Sequence, residues 1–446
     1  MIISWRRRKA GRKTENKKQF CNLDMDVEEI AIPTHFRCPI SLDLMKDPVT
    51  LPTGMTYDRS SIEKWIETGN STCPVTNQEL MSFDQIPNHA LRRMIQDWCV
   101  ENRSYGIERI PTPRIPVIPY EVSRIRERVM GAARRLDEKK CRELVGKIKA
   151  WGKESERNKK CMAENGIGGC LSAVFESFAS SSADEYVEIL VEILTVLPWM
   201  FPLGEEDQSK LGSSVCLRSF MSFLEGKDLT ARQNTVLVLR KLFSLDQKYV
   251  DAFGKIEGGV EAIFGIIGEP ICPQVTKAAL ACVLFMISSL PSAETSDKYR
   301  SRFVELGLVS LLLETLVDAE KSVSETALGV LDGLCDCKQG REEALENALT
   351  MPLLVKKILR ISELGTEFSV SIIWKLCTIE TQESFLIEAL QVGAFQKLLV
   401  LLQVGVCNGM KDKVTDLLKL FNLHMSKLDC VDSSMNFKYL KRSSLS

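Results

Sequence analysis

The chain has 446 residues, 45% hydrophobic and 26% charged, with 58 Lys/Arg against 59 Asp/Glu. That length predicts two to four domains with ample core. Fifteen cysteines show no repeated framework, which argues for free thiols in a reducing compartment over a secreted disulfide scaffold. No apolar run approaches the ~18 residues that cross a bilayer.

The net charge of −1 hides an asymmetry, because residues 1–20 hold eight Lys/Arg and one Glu. Residues 1–25 therefore read as a disordered basic tail. It is either a solvated terminus or a signal for nuclear import or an anionic surface. Met1 to Trp5 meet charge too early for a signal-peptide core. The expected location is cytoplasmic, with nuclear entry depending on that tail, and neither a nucleic-acid partner nor an integral membrane segment is expected.

Residues 26–105 read as one recognition module. Asp47-Pro48 opens a turn, and the short β-type runs Val49–Leu51 and Met55–Tyr57 are joined through Pro52-Thr53-Gly54 as a hairpin. A helix is expected from Asp58, a candidate N-cap, to Thr68, with Ile62, Trp65 and Ile66 on one face and Gly69 as its stop. Asn88 can cap a second helix in which Leu91, Ile95, Trp98 and Cys99 share a face. Two loops remain, each with a Cys-Pro pair before an apolar residue: Cys38-Pro39-Ile40 and Cys73-Pro74-Val75.

Two loops flanking a central helix have the shape of a RING domain. A RING needs eight zinc ligands. This module offers Cys38, Cys73, Cys99, His35 and His89 with no Cys-x-x-Cys, so polar contacts must hold the loops instead. Asp43, Asp47, Tyr57, Asp58, Arg59 and Asn88 are available for that network.

The motifs F-x-CPISL at 36–42, M-x-DPV at 45–49, G-x-TYDR at 54–59, I-x-x-W at 62–65, CPVT at 73–76 and IPN at 86–88 resemble those of the U-box, the zinc-free relative of the RING. The resemblance implies an E3 ubiquitin ligase that binds a ubiquitin-charged E2 and needs no cofactor, metal or covalent intermediate. It also implies an apolar E2 face formed by Ile40, Leu42, Trp65 and Pro74. Asn77 stands where related ligases carry a basic residue that bridges E2 and ubiquitin, which leaves Lys64 or Arg59 as alternative cations. Leu42 is open between core and partner contact, and Ile40 is expected to be exposed.

Residues 106–120, with four prolines between 111 and 119, read as a semi-rigid polyproline-like linker. From 121 to 427 the pattern is helical. A turn with Gly precedes an apolar helix at Gly166, Gly258, Gly307 and Gly393, and a second helix class alternates with it every ~40–47 residues, as in armadillo arrays. The fold class is therefore mostly α: a small α+β U-box followed by an armadillo-like solenoid of about six units that stack to bury their apolar faces. The Gly-led helices are taken as the inner, substrate-facing ones. Lacking an Asn ladder, they point to mixed-charge or folded protein substrates. Residues 428–446 read as a polar tail.

With only His35, His89 and His424 as imidazole bases and no phosphate-binding loop, the chain lacks the parts of a self-contained catalyst. Gly166 to Gly169 read as a repeat turn, and Cys335 and Cys337 as core thiols. The combination of domains resembles a plant class linked to stress and defence signalling, in which self-modification and homodimers are expected. The alternative is a non-catalytic scaffold that recruits E2-like or chaperone partners.

Overall fold

The computed structural model describes residues 32–111, 116–182, 185–288, 293–378, 383–405 and 408–424. The tails expected at 1–25 and 428–446 lie outside the described residues. Two compact units divide the chain, one ending at Ile115 and the other beginning at Pro116.

In the first unit, strand β1 (Pro48–Thr50) pairs antiparallel with β2 (Thr56–Asp58), Val49 opposite Tyr57. Helix α1 (Arg59–Glu67) follows at once. The strand β3 (Ile86–Pro87), absent from the sequence reading, pairs with the other edge of β1 and leads into α2 (His89–Glu101). Asn88 caps α2 as expected, its Oδ1 accepting from Leu91 N at 2.9 Å. Asp58 precedes α1 but its carboxylate does not cap it; it bonds elsewhere, as described below.

The proline-rich stretch is not a free spacer along its whole length. Ile107 and Ile110 pack on the core of the first unit, and Arg92 donates to Pro111 O at 2.7 Å. Val117 is buried in the second unit, its N–H donating to Asn158 Oδ1 at 3.0 Å. The two isoleucines just before the prolines and the valine among them find cores to enter, which shortens the linker from both ends.

The second unit opens with α3 (Pro119–Ala133) and α4 (Glu138–Glu154), split where Leu136 turns left-handed at φ +50°. Six three-helix repeats follow. The first is α5 (Glu156–Glu164), α6 (Ile167–Ser182) and α7 (Val187–Val196), and the second is α8 (Glu205–Leu211), α9 (Ser214–Glu225) and α10 (Leu229–Phe243). Next come α11 (Gln247–Gly254), α12 (Gly259–Gly268), α13 (Pro273–Ile287), then α14 (Ala293–Glu305), α15 (Leu308–Asp318), α16 (Lys321–Leu334). The last two are α17 (Lys338–Glu346), α18 (Thr350–Lys357), α19 (Glu363–Thr378), and α20 (Glu383–Gln391), α21 (Ala394–Val404), α22 (Asn408–His424).

The first helices α5, α8 and α17 bury two residues or fewer each, and with so little apolar signal they escape the two-class reading. In α5 only Asn158 and Met162 are buried. Gly258, Gly307 and Gly393 sit at φ between +82° and +84° before α12, α15 and α21. The chain turns there in a conformation that costs an L side chain roughly 1–2 kcal/mol.

One continuous hydrophobic core runs through the repeats from Val117 to Phe421. The third helices stack on one another more tightly than the second helices do. The third helices α7, α10, α13, α16, α19 and α22 therefore form the tighter edge of the stack, and the Gly-led second helices the looser one. Toward their C-terminal ends the third helices present Arg240 and Lys241, Leu284 and Phe285, Asp332, and Trp374 and Lys375, all at least partly exposed.

Polar staples join repeats one period apart. Lys149 meets Glu192 at 3.0 Å, and Lys413 Nζ donates to Ser371 Oγ at 2.8 Å. Lys397 Nζ donates to the carbonyls of Val355 and Ile358, where α18 ends. Lys375 is the most enclosed of these cations, 12% exposed and paired with Asp332 at 2.8 Å and Asp336 at 2.6 Å. Burial disfavours its charge, but the two carboxylates outweigh that and raise its pKa. Removing one partner of such a pair leaves an uncompensated charge, so Lys375→Ala is expected to destabilise the repeat unit by about 3 kcal/mol. Denaturant unfolding of the variant measures this.

Candidate functional site

The two Cys-Pro loops are the same structure built twice. Cys38 N donates to Asp43 O and Leu42 N to Cys38 O, both at 2.8 Å; Cys73 N donates to Gln78 O and Asn77 N to Cys73 O, also at 2.8 Å. Short antiparallel bridges close each base, Arg37 with Leu44 and Thr72 with Glu79. Ser41 Oγ accepts from Asp43 N and Thr76 Oγ from Gln78 N at 3.4 Å. The fifth residue of each loop is forced left-handed, Leu42 at φ +62° and Asn77 at φ +55°. Asn tolerates that region, whereas Leu holds it under strain.

Both loop thiols are fully buried and act as hydrogen-bond acceptors. Asp58 N donates to Cys38 Sγ at 3.3 Å. Burial pushes the Cys38 thiol pKa up, but N–H groups of Ser41, Asp58 and Ile40 and the Ser61 hydroxyl prevail and lower it. At Cys73 the Tyr57 hydroxyl lies 3.0 Å from Sγ and Thr53 Oγ1 donates at 3.4 Å. Val75 N donates to the Tyr57 oxygen at 3.3 Å, which leaves the phenol proton free for the sulfur. Burial again opposes the charged thiol, yet the hydroxyls of Thr53, Thr76 and Tyr57 bring Cys73 down to about 6. Burial and the bond to Cys73 raise the Tyr57 pKa in turn.

Of the six residues named for the polar network, Asp47, Tyr57, Asp58, Arg59 and Asn88 bond through their side chains, and the bonds of Asp43 run through its backbone. The Asp58 carboxylate accepts from Lys46 N at 2.8 Å and Asp47 N at 2.9 Å, pinning the first loop to the start of α1. Arg59 Nε donates to Asp47 Oδ2 at 2.6 Å and its Nη1 to Gln85 Oε1 at 3.2 Å. Asn88 Nδ2 donates to Thr50 Oγ1 at 3.3 Å while its Oδ1 caps α2. Cys38, Cys73 and Thr53 also belong to the network; the signal for the two cysteines is the Cys-Pro repeat, which marks them as buried acceptors rather than metal ligands.

The proposed contact residues divide by exposure. Leu42 is 69% exposed, and Asn77 is also exposed. Pro74 is half-buried. So is Ile40, which packs on the unit's core instead of standing free as expected. Trp65 is half-buried, its indole N–H donating to Thr72 O at 2.8 Å, which fastens α1 to the second loop. Val75, the counterpart of Ile40, is 47% exposed and was not singled out. Arg59, committed to Asp47 and Gln85, is not available as a substitute cation beside Asn77, whereas Lys64 is exposed.

The other motifs singled out in the sequence take structural places among the described residues. Gly166 is a left-handed turn into α6. Cys335 is buried, which pushes its thiol up, and Cys337 caps α17 through its sulfur. Among the described residues no group of three or more His, Cys, Asp or Glu could hold a metal ion. No single described helix is long and apolar enough to cross a membrane.

The family models for the U-box domain and for the plant U-box protein ARM repeat region match residues 32–104 and 121–441. The chain belongs to the plant U-box protein family. Its similarity extends to whole relatives. It is 48% identical to U-box domain-containing protein 21 of Arabidopsis thaliana, over 93% of each chain. It is 46% identical to U-box domain-containing protein 20, again over 93% of each chain. It is also 33% identical to E3 ubiquitin-protein ligase PUB23 of the same plant, over 92% of this chain and 98% of that one.

Two outcomes follow for the U-box. Tyr57→Phe removes the phenol from Cys73 Sγ and Val75 N and is expected to cost the U-box about 1–2 kcal/mol, read from its denaturant midpoint. The Cys73 thiol lies below its unfolded value of ~8.5. Its contribution is therefore fully present above that value and fades as pH falls through about 6. The U-box denaturant midpoint should rise across that window, and Cys73→Ala should flatten the rise.

Proposed function

We propose that this plant U-box protein is an E3 ubiquitin ligase whose U-box binds a ubiquitin-charged E2. Its solenoid recruits the protein to be modified. The observation that carries this reading is Leu42. A large apolar side chain, 69% exposed, stands at the tip of a loop held in a backbone conformation that disfavours it. Surroundings that force such a residue outward make sense when a partner's pocket receives it.

The reaction needs no nucleophile from this chain. The E2 cysteine holds ubiquitin as a thioester, a substrate lysine amine attacks the carbonyl, an amide forms and the E2 thiolate leaves. The ligase contributes orientation, restricting a flexible tethered ubiquitin to a reactive pose. Ile40, Leu42, Trp65 and Pro74 receive the E2, with Val75 beside them in the second loop. Asn77 offers ubiquitin a neutral hydrogen bond where a cation would give one roughly twice as strong.

We take the third helices, the more tightly stacked edge, as the inner face in place of the Gly-led helices; there the mixture of Arg240, Lys241, Phe285, Asp332 and Trp374 suits substrates of mixed charge with apolar anchors. We assign the protein to the cytoplasm and to stress and defence signalling on family resemblance, and to homodimers on the same ground.

Incubation with E1, E2, ubiquitin and ATP should yield ubiquitin chains. Leu42→Asp should weaken E2 binding by about 30-fold, the loss of a ~2 kcal/mol hot spot, and abolish chains without changing the circular dichroism spectrum. Continued E2 binding with no chains from the native protein would favour the scaffold reading. Asn77→Arg should accelerate discharge of ubiquitin from the E2, and an unchanged rate would remove Asn77 from the mechanism.

A further inference from the structure

Two neighbouring third helices, α10 and α13, share an open surface of one charge sign. On α10 the side chains of Gln233, Leu237, Arg240 and Lys241 are at least partly open to solvent, at the spacing of a single helical face. On α13 the same holds for Lys277, Ala281, Leu284 and Phe285, while Ala278, Ala279, Leu280, Cys282 and Val283 are buried. The two helices pack together, and Arg240 lies near enough to the buried Cys282 for its charge to act on that thiol. Leu284 and Phe285 follow Cys282 within one turn, so the two open stripes adjoin.

Neither α10 nor α13 contains an Asp or Glu. Arg232, at the start of α10, is matched by Glu269 at 2.8 Å. Among the described residues Arg240, Lys241 and Lys277 have no such partner. Other charges on third helices do find partners a repeat away: Glu192 on Lys149, Lys375 on Asp332 and Asp336, and Glu325 on Ser362. The helix dipole favours cations in the last turn of α10, but it gives nothing to Lys277, more than a turn into α13. Unpaired surface cations are ordinary one at a time. Three of them around half-buried Leu284 and Phe285 make a field of one sign with an apolar centre, which complementary charge fills.

The occupant is narrowed by what surrounds the patch. The segment 1–20, with eight Lys/Arg against one Glu, has the wrong sign. A nucleic-acid strand crossing to the next third helix, α16, would meet Asp332 and Asp336, where a phosphate backbone is repelled. A short peptide stays within the patch. Lys277 and Leu284 lie about 10 Å apart along the helix at 1.5 Å per residue, a distance that about three extended residues span.

We propose that the α10–α13 surface binds an acidic segment of a protein substrate. Its carboxylates meet Arg240, Lys241 and Lys277, and an aromatic or aliphatic side chain among them rests on Leu284 and Phe285. This rests on the reading that the solenoid recruits the protein to be modified, and narrows it to one class of sequence.

Fluorescence anisotropy tests it, using the full chain and a labelled twelve-residue peptide with Asp and Glu around a central Leu-Phe pair. No E1, E2 or ubiquitin is present, so failure to bind and failure to build chains are separate results. Binding should saturate and weaken as salt is raised. Arg240→Glu with Lys277→Glu should weaken it about tenfold or more with an unchanged circular dichroism spectrum. Lys255→Glu, on the exposed turn between α11 and α12, should leave it unchanged. Peptides with Lys in place of each acid, or Gly-Gly in place of Leu-Phe, should bind less tightly than the original. No binding by the native chain, or equal binding by the double variant, overturns the proposal. So does a single-stranded oligonucleotide of equal charge that binds more tightly and displaces the peptide. Self-association in sedimentation that the double variant abolishes also overturns it, because a second copy would then be the occupant.

Discussion

Everything the U-box can do depends on two buried sulfur atoms being held by hydrogen bonds. Cys38 and Cys73 each sit at the root of a loop, and each gathers backbone or hydroxyl donors around its thiol. With the sulfurs fixed, the carbonyl and N–H of each cysteine close the loop around it, and the fifth residue has no choice but the left-handed region. The exposed side chains at the two tips are therefore consequences of buried bonds several residues away. A mutation in the core of this unit can blunt the contact surface without touching it.

Asp58 and Arg59 extend that constraint across the module. One carboxylate takes the N–H groups of Lys46 and Asp47, and the guanidinium of the next residue returns to the Asp47 side chain and reaches Gln85. Adjacent residues thus tie the first loop, the start of α1 and the segment before β3 into one frame. Charge-assisted bonds of this kind are directional, which a purely apolar core of this size would not be.

Much of this is legible in the sequence. The Asp-Pro turn, the Tyr-Asp-Arg run and the paired Cys-Pro loops announce the module, and five candidate ligands where a RING needs eight point to a polar network in their place. The glycine turns gave the repeat. Less was legible where the signal was tertiary. β3 is two exposed residues whose only mark is a partner strand. Ile107, Ile110 and Val117 looked like parts of a spacer because prolines dominate the local pattern, yet each enters a core. The first helices α5, α8 and α17 bury too few residues to show periodicity. The inner face of the solenoid depends on how tightly helices stack, which a single helix's sequence does not encode. Ile40 was placed outside because it lies in a loop, and the loop's own closure draws it halfway in.

The closure by sulfur, hydroxyl and backbone also sets what the module is exposed to in a cell. A RING loses its shape when its metal is withdrawn, so its integrity follows the supply of zinc. Here buried thiols, hydroxyls and backbone groups close the loops, and the liability moves to the thiols. An electrophile or oxidant that reached Cys73 during a transient opening would add bulk where Tyr57, Thr53 and Thr76 converge and prevent the second loop from reclosing.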